Sequence, residues 1–150
     1  MSKTILLVED NPSDEKLTLL AFKNCGVPNE IIVERDGASA LDYLFGTGKY
    51  AARGAPTTLP TVVLLDLKLP KVDGLDVLQR IRRDERTKLV PVVVLTSSKQ
   101  DEDVIQSYSL GANAYLRKPV DFAVFAEAAR TLGQFWLLLN ETAPTPPGVS

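Results

Sequence analysis

The chain has 150 residues, 45% of them hydrophobic, and its 17 basic and 19 acidic side chains leave a formal charge of −2, which is room for one compact domain with a buried core and no second one. That near balance offers neither the basic surface that a phosphate backbone requires nor an attraction to anionic lipid, so neither DNA nor a membrane is expected as a direct partner. A single cysteine, Cys25, excludes an internal disulfide, and the lack of histidine excludes Ser-His-Asp and Cys-His catalysis, the usual zinc sites and a phosphohistidine on this chain.

The first element is the apolar run Ile5 to Val8, too short and too acidic at its end (Glu9-Asp10) for a signal peptide, so a cytoplasmic location is expected. Asn11-Pro12 opens a helix and Cys25-Gly26 closes it. A second β-branched run follows at Ile31 to Val33. The segment Gly46 to Pro60, GTGKYAARGAPTTLP, breaks the alternation and is expected as a surface detour or a binding loop. Val62 to Leu65 is the third strand, ending in Asp66. Leu75, Leu78 and Ile81 carry helical spacing, with Gly74 expected in a tight turn ahead of that helix and Pro70 shaping the loop after Asp66.

Val92 to Leu95 is the fourth strand and Ala114 to Leu116 a weaker fifth, closed by Lys118-Pro119, a candidate cis peptide. Asp121 can cap a last helix whose inner face carries Phe122, Phe125, Ala129 and Leu132. That helix ends FWLLLNE, where Phe135 to Leu139 are consecutive and cannot all face one sheet, so some apolar area should stay exposed. Residues 142–150, TAPTPPGVS, form a Pro-rich tail expected to be disordered, which leaves 1–141 as the domain.

Strand and helix alternate throughout, which predicts right-handed crossovers and an α/β fold. The expected form is a doubly wound, five-stranded parallel sheet of order 2-1-3-4-5 flanked by five helices, flavodoxin-like, with its site at the carboxyl ends of the strands. Three carboxylates, Glu9, Asp10 and Asp66, close strands one and three. Adjacent strands would bring them into one crevice, where their repulsion calls for a hard cation such as Mg²⁺. Any one of them could be a mere helix cap; three at converging strand ends are better explained together. Thr96 and Lys118 end strands four and five, and a hydroxyl with an ammonium facing an acidic metal site is what a phosphoryl group needs. A flavin module would want a glycine- and hydroxyl-rich loop where Asp10-Asn11-Pro12 stands, and an aspartate-based phosphohydrolase would want an acid or base two residues after Asp66, where Lys68 stands.

ILLVEDNP, LLDLKLPKVDG, VVVLTSS and GANAYLRKP, in this order, resemble the response-regulator receiver domains of two-component signalling, and the resemblance covers about Thr4 to Leu137. It implies that Asp66 is the phosphoacceptor and that Glu9, Asp10, Asp66 and the backbone carbonyl of Lys68 hold Mg²⁺ or Mn²⁺, Asp10 directly and Glu9 through water. Thr96 would hydrogen-bond the phosphoryl oxygen, Lys118 would pair with it, and Tyr115 would be the aromatic whose rotamer follows Thr96. Lys68 and Ser98 occupy positions that tune hydrolysis in the family. The implied partner is a sensor histidine kinase. The long segment before strand three, the SYSLGANAYLRKPVDF run and the aromatic last helix are similar to the stand-alone regulators paired with phytochrome-type kinases. Because only a short tail follows the last helix, the output is expected to be a protein-binding surface rather than an enzyme activity. A homodimer through the C-terminal helix is expected. The alternative within the class is a phosphorelay intermediate or phosphate sink that passes the group to a histidine phosphotransfer protein.

Overall fold

A computed structural model describes residues 3–144. Five strands and five α-helices alternate: β1 (Lys3–Val8), α1 (Pro12–Lys23), β2 (Asn29–Glu34), α2 (Gly37–Phe45), β3 (Val62–Leu65), α3 (Gly74–Arg83), β4 (Val92–Thr96), α4 (Asp101–Ser109), β5 (Ala114–Arg117) and α5 (Phe122–Gln134). The strands form one parallel sheet of order 2-1-3-4-5, as expected. β1, β3 and β4 are buried on both faces, which is why they read as unbroken apolar runs. One face of the sheet, with Leu6, Val8, Leu65 and Val94, packs against Leu41 and Leu44 of α2 and Leu78 and Ile81 of α3. The other, with Ile5, Leu7, Leu64 and Val93, packs against Phe22 of α1 and Phe125 and Ala129 of α5. Each of these larger aliphatic and aromatic side chains contributes about 1.5–3 kcal/mol by leaving water.

The punctuation read from the sequence is present in the caps. Asn11 Oδ1 accepts from the amides of Ser13 and Asp14, with Pro12 at the first helical position, and Asp121 accepts from the amide of Val124. α1 ends at Lys23, with Asn24 as its cap and Gly26 beyond it at a φ of 86°. Of the helical set in α5, Phe125 and Ala129 are buried while Phe122, the first residue of the helix, is 53% exposed.

Three expectations need correction. Every peptide bond among the described residues is trans, the candidate cis bond Lys118–Pro119 included. Gly74 is the first residue of α3 and not a turn residue. A Cβ there would stand 2.3 Å from the Asp66 carbonyl oxygen, so it is close approach that demands glycine. Gly46 to Pro60 is a tethered structure and not a bare detour: a 3₁₀ turn at Gly48–Tyr50 sets the Tyr50 ring edge-on to Tyr43, with Arg53 4.6 and 4.4 Å from the two ring centroids. Tyr50 donates its hydroxyl hydrogen bond to Glu34, buried at the end of β2, and Lys49 pairs with the same carboxylate at 2.7 Å.

α5 continues into one π-helical turn, Phe135–Leu139. As the sequence requires, its apolar residues divide: Leu137 is buried and Trp136 packs on the core, while Phe135, Leu138 and Leu139 are 45, 66 and 70% exposed. Thr142 to Pro144 line a cavity of about 350 Å³ with Lys3, Thr4 and Arg86 at the amino ends of the strands. The rest of the Pro-rich tail, 145–150, lies outside the described residues.

Candidate functional site

The strand register builds the site. Val8 pairs with Leu65, so the next residues, Glu9 and Asp66, leave the sheet side by side at its carboxyl edge, and both are buried. The amide of Asp66 donates to the Val8 carbonyl at 3.1 Å, and that of Glu9 to the Glu34 carbonyl at 3.0 Å, which holds both backbones in the ladder to the last residue. Asp66 Oδ1 accepts from the amides of Leu67 at 2.7 Å and Lys68 at 3.4 Å; Glu9 Oε2 accepts from the amide of Asn11 at 3.2 Å. Asp10, the next residue, is exposed at the mouth. One oxygen each from Glu9, Asp10 and Asp66 lies within 4.8 Å of the others. An all-carboxylate oxygen set at this spacing suits a hard divalent cation, so the residues present fit the expected Mg²⁺ or Mn²⁺. Lys68 lines a cleft of about 420 Å³ together with Asp10, Leu67 and Asp103.

Lys118 arrives from the end of β5. Its amide donates to the Thr96 carbonyl at 2.8 Å, and its ammonium reaches Glu9 Oε1 at 2.6 Å, Asp14 Oδ2 at 2.8 Å and Asp66 Oδ2 at 2.9 Å, with the side chain 6% exposed. The electrostatics follow from one ammonium among several carboxylates. Burial pushes Glu9 up to about 7, Asp66 pushes in the same direction, and Lys118 opposes them. Burial also acts to raise Asp66, but the charge and hydrogen bond of Lys118 outweigh it and hold Asp66 below the usual carboxylate range. For Lys118 itself, burial works against the charged form, and the hydrogen bonds to Asp14, Glu9 and Asp66 win, keeping it well above the ordinary lysine range. The arrangement therefore offers an ionised aspartate beside a fixed cation.

Thr96 is fully buried at the end of β4, its hydroxyl accepting from the amide of Ser98 at 3.4 Å. Tyr115, paired in register with Val94, is half-buried and its hydroxyl donates to the Ser98 carbonyl at 3.4 Å. Ser98 Oγ donates to Asp103 at the start of α4. Every residue expected at the site is thus at the carboxyl edge of the sheet, with Tyr115 one step removed and linked through Ser98. Two contributors were not foreseen: Asp14, the third residue of α1, and Asp103. Asp14 lies in the first turn of α1, two residues after Pro12, and only its contact with Lys118 shows that it faces the same crevice.

A fold with this order of strands and this carboxylate and lysine arrangement defines the receiver class, and sequence comparison agrees. The family model for the response regulator receiver domain matches residues 5–130. The chain belongs to that family. It is 40% identical over 144 residues to response regulator Rcp1 of Synechocystis, covering 96% of this chain and 93% of that one. The Mn²⁺-bound form of Rcp1 superposes with a TM-score of 0.86 at 38% identity, over 95% of this chain and 99% of that chain. The phosphorylated cyanobacterial phytochrome response regulator RcpA gives 0.87 at 38% identity, over 96 and 100%. The bacteriophytochrome response regulator AtBRR gives 0.73 at 54% identity, over 94 and 99%.

Proposed function

We propose that this protein is a stand-alone response regulator that accepts a phosphoryl group on Asp66 from a sensor histidine kinase of the phytochrome type. The observation that carries the reading is the Lys118 ammonium held at 2.9 Å from Asp66 and 2.6 Å from Glu9, beside the Glu9, Asp10 and Asp66 oxygen cluster. The phytochrome pairing is supported by similarity to RcpA and AtBRR, each described as the response regulator of a phytochrome or bacteriophytochrome.

Glu9, Asp10, Asp66 and the Lys68 carbonyl would hold Mg²⁺ or Mn²⁺, which supplies charge neutralisation at the transferring phosphoryl group. Asp66, kept ionised by Lys118, attacks phosphorus in line; the bond from phosphorus to the kinase histidine nitrogen breaks, and its electron pair leaves with the imidazole. Lys118 neutralises the equatorial oxygens and the Thr96 hydroxyl donates to one of them. Drawing Thr96 inward moves Ser98, and with it the Tyr115 hydroxyl and the start of α4, both of which hold Ser98 in the resting state. The output is the altered α4, β5 and α5 surface, read by a protein partner in the cytoplasm. The protein turns over no metabolite. Phe135, Leu138 and Leu139, exposed together on the last turn, would seat a second copy in a two-fold dimer.

The test is intact mass after incubation with acetyl phosphate, in Mg²⁺ or EDTA, for the wild type and Asp66→Asn. One phosphate adduct that requires both the metal and Asp66 is expected. An adduct that persists in Asp66→Asn or in EDTA would refute the site.

A further inference from the structure

Asp14 is the one partner of Lys118 that the proposed chemistry leaves without a task. An ammonium has three N–H donors, and Lys118 lies within hydrogen-bond distance of three carboxylate oxygens: Glu9 Oε1 at 2.6 Å, Asp14 Oδ2 at 2.8 Å and Asp66 Oδ2 at 2.9 Å. Two of these partners have other duties in the reading above: Glu9 belongs to the cation cluster, and Asp66 changes covalently. Asp14 belongs to neither, since the cluster is Glu9, Asp10 and Asp66. It also comes from a different kind of element. Its backbone is fixed in the first turn of α1, where Asn11 Oδ1 accepts from the Asp14 amide at 3.0 Å and the Thr18 hydroxyl donates to the Asp14 carbonyl at 2.8 Å. Its side chain, 29% exposed, stands at the rim and reaches across 104 residues of sequence to the end of β5.

We infer that Asp14 is a positioning residue that holds the Lys118 ammonium against the α1 side of the site throughout the phosphorylation cycle. The inference rests on the phosphoryl-acceptor reading. When an Asp66 carboxylate oxygen bonds to phosphorus and the bond from phosphorus to the donor oxygen breaks, the electron pair leaving with acetate, the negative charge that Lys118 faced on Asp66 moves to the phosphoryl oxygens. The N–H that pointed at Asp66 then turns to a phosphoryl oxygen a short distance away, while the bond to Asp14 stays made. Without Asp14, a long side chain that is losing its Asp66 partner, and whose remaining partner Glu9 also belongs to the cation cluster, must be ordered during the reaction itself, which costs rate.

The experiment compares wild type with Asp14→Asn, using acetyl phosphate and Mg²⁺ and following adduct mass against time, with Asp14→Glu as the conservative variant. Mg²⁺ affinity is measured by calorimetry on the same proteins, and the Lys118 Nζ–H signal is followed by NMR in protein labelled with ¹⁵N-lysine. The expected result is a fall of about fivefold in the rate of adduct formation in Asp14→Asn, the size of one partly exposed ion pair. Mg²⁺ affinity should be unchanged, Asp14→Glu should recover part of the rate, and the Lys118 Nζ–H signal, sharp in the wild type, should be lost to exchange with water in Asp14→Asn. An unchanged or faster rate overturns the inference, as does a slower rate with the Nζ–H signal intact, because Asp14 would then act through α1 and not through Lys118. If the wild type itself forms no adduct, the phosphoryl-acceptor reading fails, and the NMR comparison still decides whether Asp14 holds Lys118.

Discussion

Ser98 Oγ donates a hydrogen bond to Asp103 Oδ2 at 2.5 Å, tying the loop that follows β4 to the first turn of α4. The same residue accepts from the Tyr115 hydroxyl through its carbonyl and donates its amide to the Thr96 hydroxyl oxygen, so one loop residue links β4, β5 and α4. α4 has little else to hold it, because Ser107 is its one buried residue. Removing the carboxylate in Asp103→Ala should therefore loosen this loop in the unphosphorylated protein. Amide exchange over residues 97–104 should speed by about tenfold, the value of one charge-assisted hydrogen bond, while exchange in β1 and β3 stays unchanged. Equal protection in the two proteins would show that the bond does not restrain the loop.

Gly74 packs where no side chain fits. An added Cβ would stand 2.3 Å from the Asp66 carbonyl oxygen and 2.6 Å from the Leu67 Cα, both backbone atoms that cannot swing aside. Gly74→Ala should cost about 1–3 kcal/mol in urea unfolding, the range for overpacking, despite the better helix propensity of alanine. A stability gain would mean that the α3 start is free to shift.

The Tyr50 phenol should ionise late. Burial raises it and its hydrogen bond to the Glu34 carboxylate raises it further, up to about 12 against an ordinary value of about 10. A pKa raised in the folded state means a stabilising contribution fully present below about pH 10 and lost as the pH passes through about 12. In an ultraviolet titration, a tyrosine step near pH 12 should be present in the wild type and vanish in Tyr50→Phe. The same variant should lose about 1–3 kcal/mol at neutral pH, since Glu34 is buried and would keep Lys49 as its remaining partner.

Metal binding should depend on Asp10 in particular. It is the exposed member of the cluster, so Asp10→Asn removes a ligand charge without leaving a buried group unpaired. Calorimetry with Mg²⁺ should record an affinity lower by at least about tenfold, with unfolding unchanged within about 0.5 kcal/mol. Unaltered affinity would place the ion elsewhere.

Light scattering should report twice the chain mass for the wild type, and a single chain for Leu138→Glu combined with Leu139→Glu. Both residues are more than half exposed on the last turn, so the change leaves the core intact. A wild-type monomer at micromolar concentration would refute the dimer.

The sheet order and the converging carboxylates were legible because both rest on simple regularities. Strands buried on two faces must be apolar throughout, as Ile5 to Val8 and Val62 to Leu65 are, and parallel strands joined by helices must present all their carboxyl ends at one edge. A charged residue at the end of such a run, Glu9 or Asp66, is thereby assigned to a place as well as a type. The same logic found Thr96 and Lys118. It failed for Gly46 to Pro60, whose order comes from Glu34 on a strand, Tyr43 on a helix and Arg53 within the loop, contacts that no periodicity records.

The sequence by itself determined the class of fold, the edge at which the site sits and the residue types gathered there, because local patterns of burial and punctuation are enough to fix the topology. Only the tertiary structure decided who touches whom within that edge. It gave Lys118 a third partner in Asp14, made Gly74 a matter of backbone clearance instead of turn geometry, and joined Ser98 to Asp103. These are relations of a few tenths of an ångström between atoms brought together by packing, and a linear pattern holds no measure of such distances.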